Sequence, residues 1–255
     1  MLFDSHAHYN DEKFNEDVYE LLESMQKNNV GYIMNACSSI DEIPYILELC
    51  SRFPFLYASV GVHPHEVGSM TEKDIEILKN YSKEQKVRAI GEIGLDYYYD
   101  LAPRDLQKKW FARQIQLARE LDLPLIIHDR DAHKDCMDIL KAENVSQCGG
   151  VFHCYSGSAQ MAEEILNLGM YIAFGGSLTF KNARKAIEAA EIIPLDRLLI
   201  ETDCPYLAPE PNRGKRNSSL YIHFVAEKLA EIKNVSVEEI EKTTEENAKK
   251  LFGIN

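Results

Sequence analysis

Leu123-Pro124-Leu125-Ile126-Ile127-His128-Asp129-Arg130 runs apolar and then stops abruptly at an imidazole, an acid and a guanidinium. Strict alternation would mark a strand with one wet face. An unbroken run of β-formers marks a strand covered on both faces, as in a parallel sheet flanked by helices. The stop places polar chemistry at the strand's C-terminal end.

The same design recurs along the chain. Leu2–Tyr9, Gly31–Ala36, Leu56–His63, Val87–Asp96, Pro124–Arg130, Gly149–Ser156, Met170–Gly175 and Arg197–Pro205 read as strands rich in Val, Ile, Tyr and Phe. Between them lie amphipathic stretches of helical spacing: Asn15–Asn28, Ile40–Phe53, a helix opening at Thr71 with Asp74 in capping-box position, Arg104–Leu121, Asp131–Lys141, Ala159–Leu168, Asn182–Ala190 and Leu220–Lys233. A ninth helix, Val237–Phe252, follows Ser236 as its cap. Eight strands alternating with helices over 255 residues predict an α/β fold, a (β/α)8 TIM barrel with an additional C-terminal helix, as a single domain over 1–255. The competing doubly wound open sheet usually carries a Gly-rich phosphate loop after its first strand; here that strand ends in His6-Ala7-His8-Tyr9.

Composition narrows the function. A hydrophobic share of 45% and a charged share of 27% are ordinary for a globular chain. No apolar run approaches the roughly 20 residues of a membrane span, and the N-terminus lacks a signal-peptide pattern, so a cytoplasmic location is expected. The six cysteines form no Cys-x-x-Cys pair and read as reduced thiols. A net charge of −13 argues against non-specific nucleic-acid binding through a basic surface. It leaves open an enzyme on phosphodiesters, whose site needs only local positive charge.

Barrel enzymes build their sites at the C-terminal strand ends. There the sequence places His6 and His8 (one face of strand 1), His63 and His65 (strand 3), Glu92 and Tyr97 (strand 4), His128 and Arg130 (strand 5), His153 (strand 6) and Asp203 (strand 8). Only His133 and His223 fall in predicted helices, and they read as surface or packing residues. Each strand-end residue alone has an ordinary structural explanation. Together, four histidines, a Glu and an Asp at one barrel mouth do not, because burying them without a cation leaves polar groups wanting partners. His6, His8, Glu92, His128, His153 and Asp203 are therefore the expected metal ligands. Six ligands suit two divalent ions with one bridging carboxylate, the candidates being Zn, Mn, Mg, Co, Ni or Fe. A basic loop, Arg213-Gly214-Lys215-Arg216, is read with Arg130 as an anion site beside them.

These pieces resemble the TatD family of metal-dependent DNases, among the amidohydrolase-type barrels. The resemblance rests on Phe3-Asp4-Ser5-His6-Ala7-His8, Gly61-Val62-His63-Pro64-His65, Gly91-Glu92-Ile93-Gly94-Leu95-Asp96-Tyr97, His128-Asp129-Arg130, His153-Cys154-Tyr155-Ser156-Gly157, Glu201-Thr202-Asp203-Cys204-Pro205-Tyr206-Leu207 and Arg213-Gly214-Lys215-Arg216-Asn217. It implies that His6, His8 and Asp203 hold one metal, His128 and His153 the second, and that Glu92 bridges. It implies cleavage of DNA, often as a 3′→5′ exonuclease, with DNA ends or single strands as substrate and no obligate protein partner. On this reading Asp203 is the catalytic base beside the bridging Glu92, and His63, His65, Tyr97, Arg130, Arg213 and Lys215 contact substrate. The chain departs from the family pattern at Ser218-Ser219, where Glu-Pro is usual, and mildly at Tyr155, often Phe. The alternatives are a hydrolase of a non-nucleic-acid ester or amide, and a non-enzymatic metal-binding scaffold.

Overall fold

The computed structural model describes residues 1–254. Among them, eight strands alternate with nine α-helices: β1 Leu2–Ala7, α1 Val18–Ser24, β2 Val30–Asn35, α2 Ile43–Arg52, β3 Leu56–Val60, α3 Glu72–Tyr81, β4 Val87–Asp96, α4 Arg104–Leu121, β5 Leu125–Arg130, α5 His133–Ala142, β6 Gly150–Phe152, α6 Ala159–Asn167, β7 Tyr171–Phe174, α7 Arg184–Ile192, β8 Leu198–Ile200, α8 Ile222–Lys233 and α9 Val237–Phe252. The strands are parallel and ordered β1 to β8, each paired with its neighbour in sequence. The fold is the expected TIM barrel with its extra C-terminal helix.

Local sequence accounts for most boundaries. Thr71 and Asp74 close the expected capping box, and the Ser236 hydroxyl accepts from Glu239 N at the start of α9. Other ends differ from the periodicity. The first helix is cut to Val18–Ser24 because the chain tightens into a 3-10 turn at Gln26–Asn28 and leaves through Asn29 at φ 65°. α5 starts at His133, since Asp131 sits at φ 55°. β6 and β8 have only three residues each, because the chain soon swings through left-handed conformations at Cys154 (φ 46°) and Asp203 (φ 55°).

Two apolar cores result. The larger fills the layer between sheet and helices, with Trp110, Phe111 and Ile115 of α4 at its heart. The smaller runs around the barrel's inside: Phe3, Met34, Ala89, Ile126, Val151, Ala173 and Leu199 each come from a different strand. It continues into Ala248, Phe252 and Ile254, so α9 plugs one end, with Phe3 stacked between Tyr32 (5.5 Å) and Phe252 (5.9 Å).

The ring closes without a regular β1–β8 ladder. A bridge joins Ala7 to Cys204, with Asp203 N donating to His6 O (2.9 Å) and His8 N to Cys204 O (2.8 Å). Side chains bind the rest of the seam. Ser5 Oγ donates to Ile200 O (3.0 Å), and Asp4 accepts from Thr202 N (2.9 Å), Thr202 Oγ1 (2.6 Å) and Ser219 Oγ (2.6 Å). Ser218 and Ser219, where the resemblance expects Glu-Pro, are thus buried, Ser219 against Asp4 of β1, and Ser219 Oγ also accepts from the Tyr9 hydroxyl at 2.7 Å. Asp4 is fully buried, and this burial pushes its pKa up to about 7 against the hydrogen bonds that lower it.

Candidate metal centre

The seam brings His6, His8 and Asp203 together at the open end. Their Nε2 and Oδ1 atoms converge: His6 Nε2 lies 3.0 Å from His8 Nε2, and Asp203 Oδ1 lies 3.8 Å and 3.5 Å from the two. Glu92 reaches in from β4. Its Oε2 lies 3.2 Å from His6 Nε2 and 3.5 Å from His8 Nε2. Its Oε1 lies 2.7 Å from His128 Nδ1 and 2.8 Å from His153 Nε2, which are themselves 3.3 Å apart. One carboxylate therefore offers one oxygen to each pair of histidines. The approach of β4 to β5 depends on Gly94, paired with His128, where a Cβ would sit 1.9 Å from the His128 carbonyl oxygen.

Charge shows what the cluster is suited to hold. Glu92, Asp96, Glu201 and Asp203 are buried or nearly so, and among the described residues histidines are their ion-pair partners throughout. Burial opposes charge on His8, His128 and His153, yet the adjacent carboxylates outweigh it and raise all three above the ordinary imidazole range. For His6 and His63, burial reinforced by neighbouring imidazoles lowers the pKa. Glu92 and Asp203 are held below the usual carboxylate range, because the surrounding histidines overcome the upward push of burial. A field that draws protons onto imidazoles draws cations equally. Nitrogen and carboxylate donors facing one another at these separations fit divalent ions better than a set of shared protons.

The backs of the rings support the same reading. His6 and His153 stack at 3.9 Å, and the Nδ1 atoms of both are buried without a partner. A histidine binding metal through Nε2 carries its proton on Nδ1 and needs an acceptor there. Glu201 is that acceptor's nearest candidate: fully buried, with Oε1 3.5 Å from His153 Nδ1 and Oε2 unpartnered. Asp96 plays the corresponding part for His128, with Oδ2 3.0 Å from Nε2. Neither acid stood out in the sequence as a functional residue, although both lie in the strand-end motifs.

A cavity of about 700 Å³ opens above the cluster. His8, His63, His65, Glu92, His128, Arg130, His153 and Asp203 line it, together with Tyr99, Tyr206 and Leu207. Three expected substrate residues lie elsewhere. The Tyr97 hydroxyl donates to Asp135 (2.7 Å) beneath Arg104, and Tyr99 takes its place at the wall. Arg213 is exposed, stacked on Phe180 at 4.2 Å, and Lys215 Nζ donates to Asn212 Oδ1 at 3.0 Å. Arg216 is bound to Asp17. Apart from histidines, Arg130 is the cationic residue of the lining among the described residues, against the carboxylates of Asp11, Glu12, Glu42 and Glu66 at the rim. His133 pairs with Asp129 at 2.8 Å, and His223 Nδ1 meets Leu220 O at 2.9 Å.

Comparison with known proteins points to one family. The TatD-related DNase profile matches residues 3–253. The metal-dependent hydrolase YabD of Bacillus subtilis (strain 168) is 48% identical over 255 residues, covering 100% of both chains. The metal-dependent hydrolase YcfH of Escherichia coli (strain K12) is 39% identical over 258 residues, covering 100% of this chain and 97% of its own. Among solved structures, YjjV, a TatD homologue from Escherichia coli K12, superposes with a TM-score of 0.93 at 30% identity, over 100% of this chain and 98% of that one.

Proposed function

The chain belongs to the TatD-related DNase family and is a metal-dependent hydrolase; from that premise we propose that it hydrolyses phosphodiester bonds in DNA as a 3′→5′ exodeoxyribonuclease acting on ends or single strands. The observation that carries the reading is Glu92, one oxygen toward His6 and His8 and the other toward His128 and His153. In this reading the whole chain, 1–255, works as one hydrolase domain. Its unpaired cysteines suit a reducing compartment such as the cytoplasm, and no helix among the described residues is long and apolar enough to cross a membrane.

His6, His8 and Asp203 would hold one divalent ion and His128 and His153 a second, with Glu92 offering an oxygen to each set. When bound, the ions supply Lewis-acid polarisation of a phosphoryl oxygen and acidify a water. The protein's own groups do the rest. Asp203 orients the attacking water and accepts its proton, a role suited to a carboxylate kept ionised by His8. Its position is stiffened by the backbone bond from Asp203 N to His6 O. Arg130, at the cavity wall, donates to charge developing on the phosphoryl oxygens. His63, kept neutral by burial, and His65 orient the substrate. Arg213 and Lys215 act at longer range, drawing the strand toward the mouth.

The test is cleavage of end-labelled single- and double-stranded oligonucleotides with each of several divalent metals, with product lengths read in time. Shortening from the 3′ end supports the proposal; no cleavage under any metal sinks it. Asp203→Asn should lower turnover by about 10³-fold or more, as loss of a preorganised catalytic group does, while much of the metal stays bound. Surviving DNA hydrolysis in that variant would remove the base assignment. One observation favours a second reading. The acidic rim of Asp11, Glu12, Glu42 and Glu66 suits a neutral ester or amide better than a polyanion. A lactone and an amide assayed beside the oligonucleotides decide between them.

A further inference from the structure

Large apolar side chains left in solvent are few among the described residues, and most of them cluster. Of the eight exposed ones among the described residues, Tyr98, Tyr99 and Leu101 follow β4 and Tyr206 and Leu207 follow β8. Both segments stand at the open end of the barrel. Tyr99, Tyr206 and Leu207, at 54%, 45% and 39% exposure, line the cavity above the metal centre.

These residues are held in place. The Tyr206 hydroxyl donates to Asp11 Oδ2 at 2.5 Å, its carbonyl accepts from Asn217 Nδ2 at 2.7 Å, and Lys13 Nζ covers its ring at 4.5 Å. Leu207 sits at φ 51°, a conformation that L residues with bulky side chains rarely take. It is clamped there by Gly176, where a Cβ would fall 2.1 Å from the Leu207 carbonyl oxygen. On the opposite wall Tyr99 meets His65 edge-on at 5.5 Å, and the Arg130 guanidinium lies 4.8 Å from its ring centroid. Apolar side chains fixed outward by polar anchors and backbone strain are built for contact.

Charge indicates what they contact. A strand lying in this cavity finds the Arg130 guanidinium and, over the Tyr206 ring, the Lys13 ammonium, against the carboxylates of Asp11, Glu12, Glu42 and Glu66. Phosphates beyond the one at the metals therefore meet more carboxylates than cations inside the cavity, and much of the holding energy for a substrate there must come from its bases. Aromatic rings stack on every base regardless of sequence. Resting on the DNA reading above, we infer that Tyr99 and Tyr206, with Leu207, form a subsite for the terminal nucleobase of a single strand. The base stacks against the tyrosines while Arg130 takes the scissile phosphate. A base paired within a duplex has first to unstack to enter, so frayed and single-stranded ends are preferred.

The experiment compares kcat/KM for two single-stranded oligonucleotides, one ending in an ordinary nucleotide and one ending in an abasic residue, using the metal-loaded full chain. The parent should favour the ordinary end by roughly ten- to a hundred-fold. Tyr99→Ala with Tyr206→Ala should bring the ratio toward one, and Tyr99→Phe with Tyr206→Phe should keep it, since phenylalanine retains the ring. Melting curves confirm that the variants fold. A parent ratio near one, an alanine variant with the parent's ratio, or a blunt duplex cut as fast as a single strand overturns the subsite while DNA cleavage itself still stands. Failure of the parent on both oligonucleotides overturns the DNA reading beneath it.

Discussion

The closed end of this barrel is apolar: Phe252 of α9 stacks on Phe3, which stacks on Tyr32. At the open end six histidines gather around Glu92, Asp96, Glu201 and Asp203. The same eight strands support both. Burial at the closed end is favourable in itself, so that end stabilises the fold. Burial at the open end is unfavourable until cations compensate the carboxylates, so stability is traded there for a site. Stability and chemistry are thus held at opposite ends of one scaffold, as the barrel architecture permits.

The largest expected effect breaks the open end alone. Glu92→Gln should cut kcat/KM by about 10³-fold or more and reduce bound metal, measured by kinetics and elemental analysis. Chelation should lower the melting temperature of the parent, because ions that bind the folded state stabilise it, and should leave the variant nearly unmoved. A variant that still melts lower on chelation would show that the bridging role is misplaced.

Phe252→Ala breaks the closed end. Removing a buried aromatic should cost roughly 3–5 kcal/mol, which for a chain this long lowers Tm by on the order of 10 °C. Activity per folded molecule should stay within about twofold, since distant sites act independently. A large loss of kcat at low temperature would mean that the two ends are coupled.

Glu201→Ala sharpens the contrast, because it removes a buried acid that touches no substrate. Metal affinity should fall about 10- to 100-fold, read by titration, with folding retained. Unchanged affinity would leave the Nδ1 atoms of His6 and His153 without the acceptor assigned here. The smallest effect is expected outside the cavity. Arg213→Ala with Lys215→Ala should raise KM for an oligonucleotide about two- to five-fold at low salt, and the effect should vanish near 0.5 M salt, where charges are screened beyond about 4–5 Å. A salt-independent loss would place these residues in direct contact with substrate.

Much of this was legible along the chain. Strand and helix types follow from local periodicity, and the apolar run ending at His128 already showed a doubly covered strand with chemistry at its tip. His6, His8, Glu92, His128, His153 and Asp203 could be picked out because each interrupts such a run at the same end. Asp96 and Glu201 could not, since in sequence they look no different from Asp129, which binds a helix histidine instead. Tyr97 and Tyr99 are neighbours of one type, and only the turn after β4 sends one toward Asp135 and the other to the cavity. The basic loop stood out in an acidic chain, yet its cations lie outside the cavity, with Arg216 held by Asp17.

Periodicity reports which face a residue takes and which end of a strand it marks, because both depend on neighbours a few positions away. It carries no distances between segments. The division of Glu92's oxygens between two histidine pairs, the seam that sets Asp203 beside His6, and the inward turn of Ser219 onto Asp4 all depend on closing a ring across some 200 residues. Such contacts exist only when every strand is in place, so they belong to the tertiary structure.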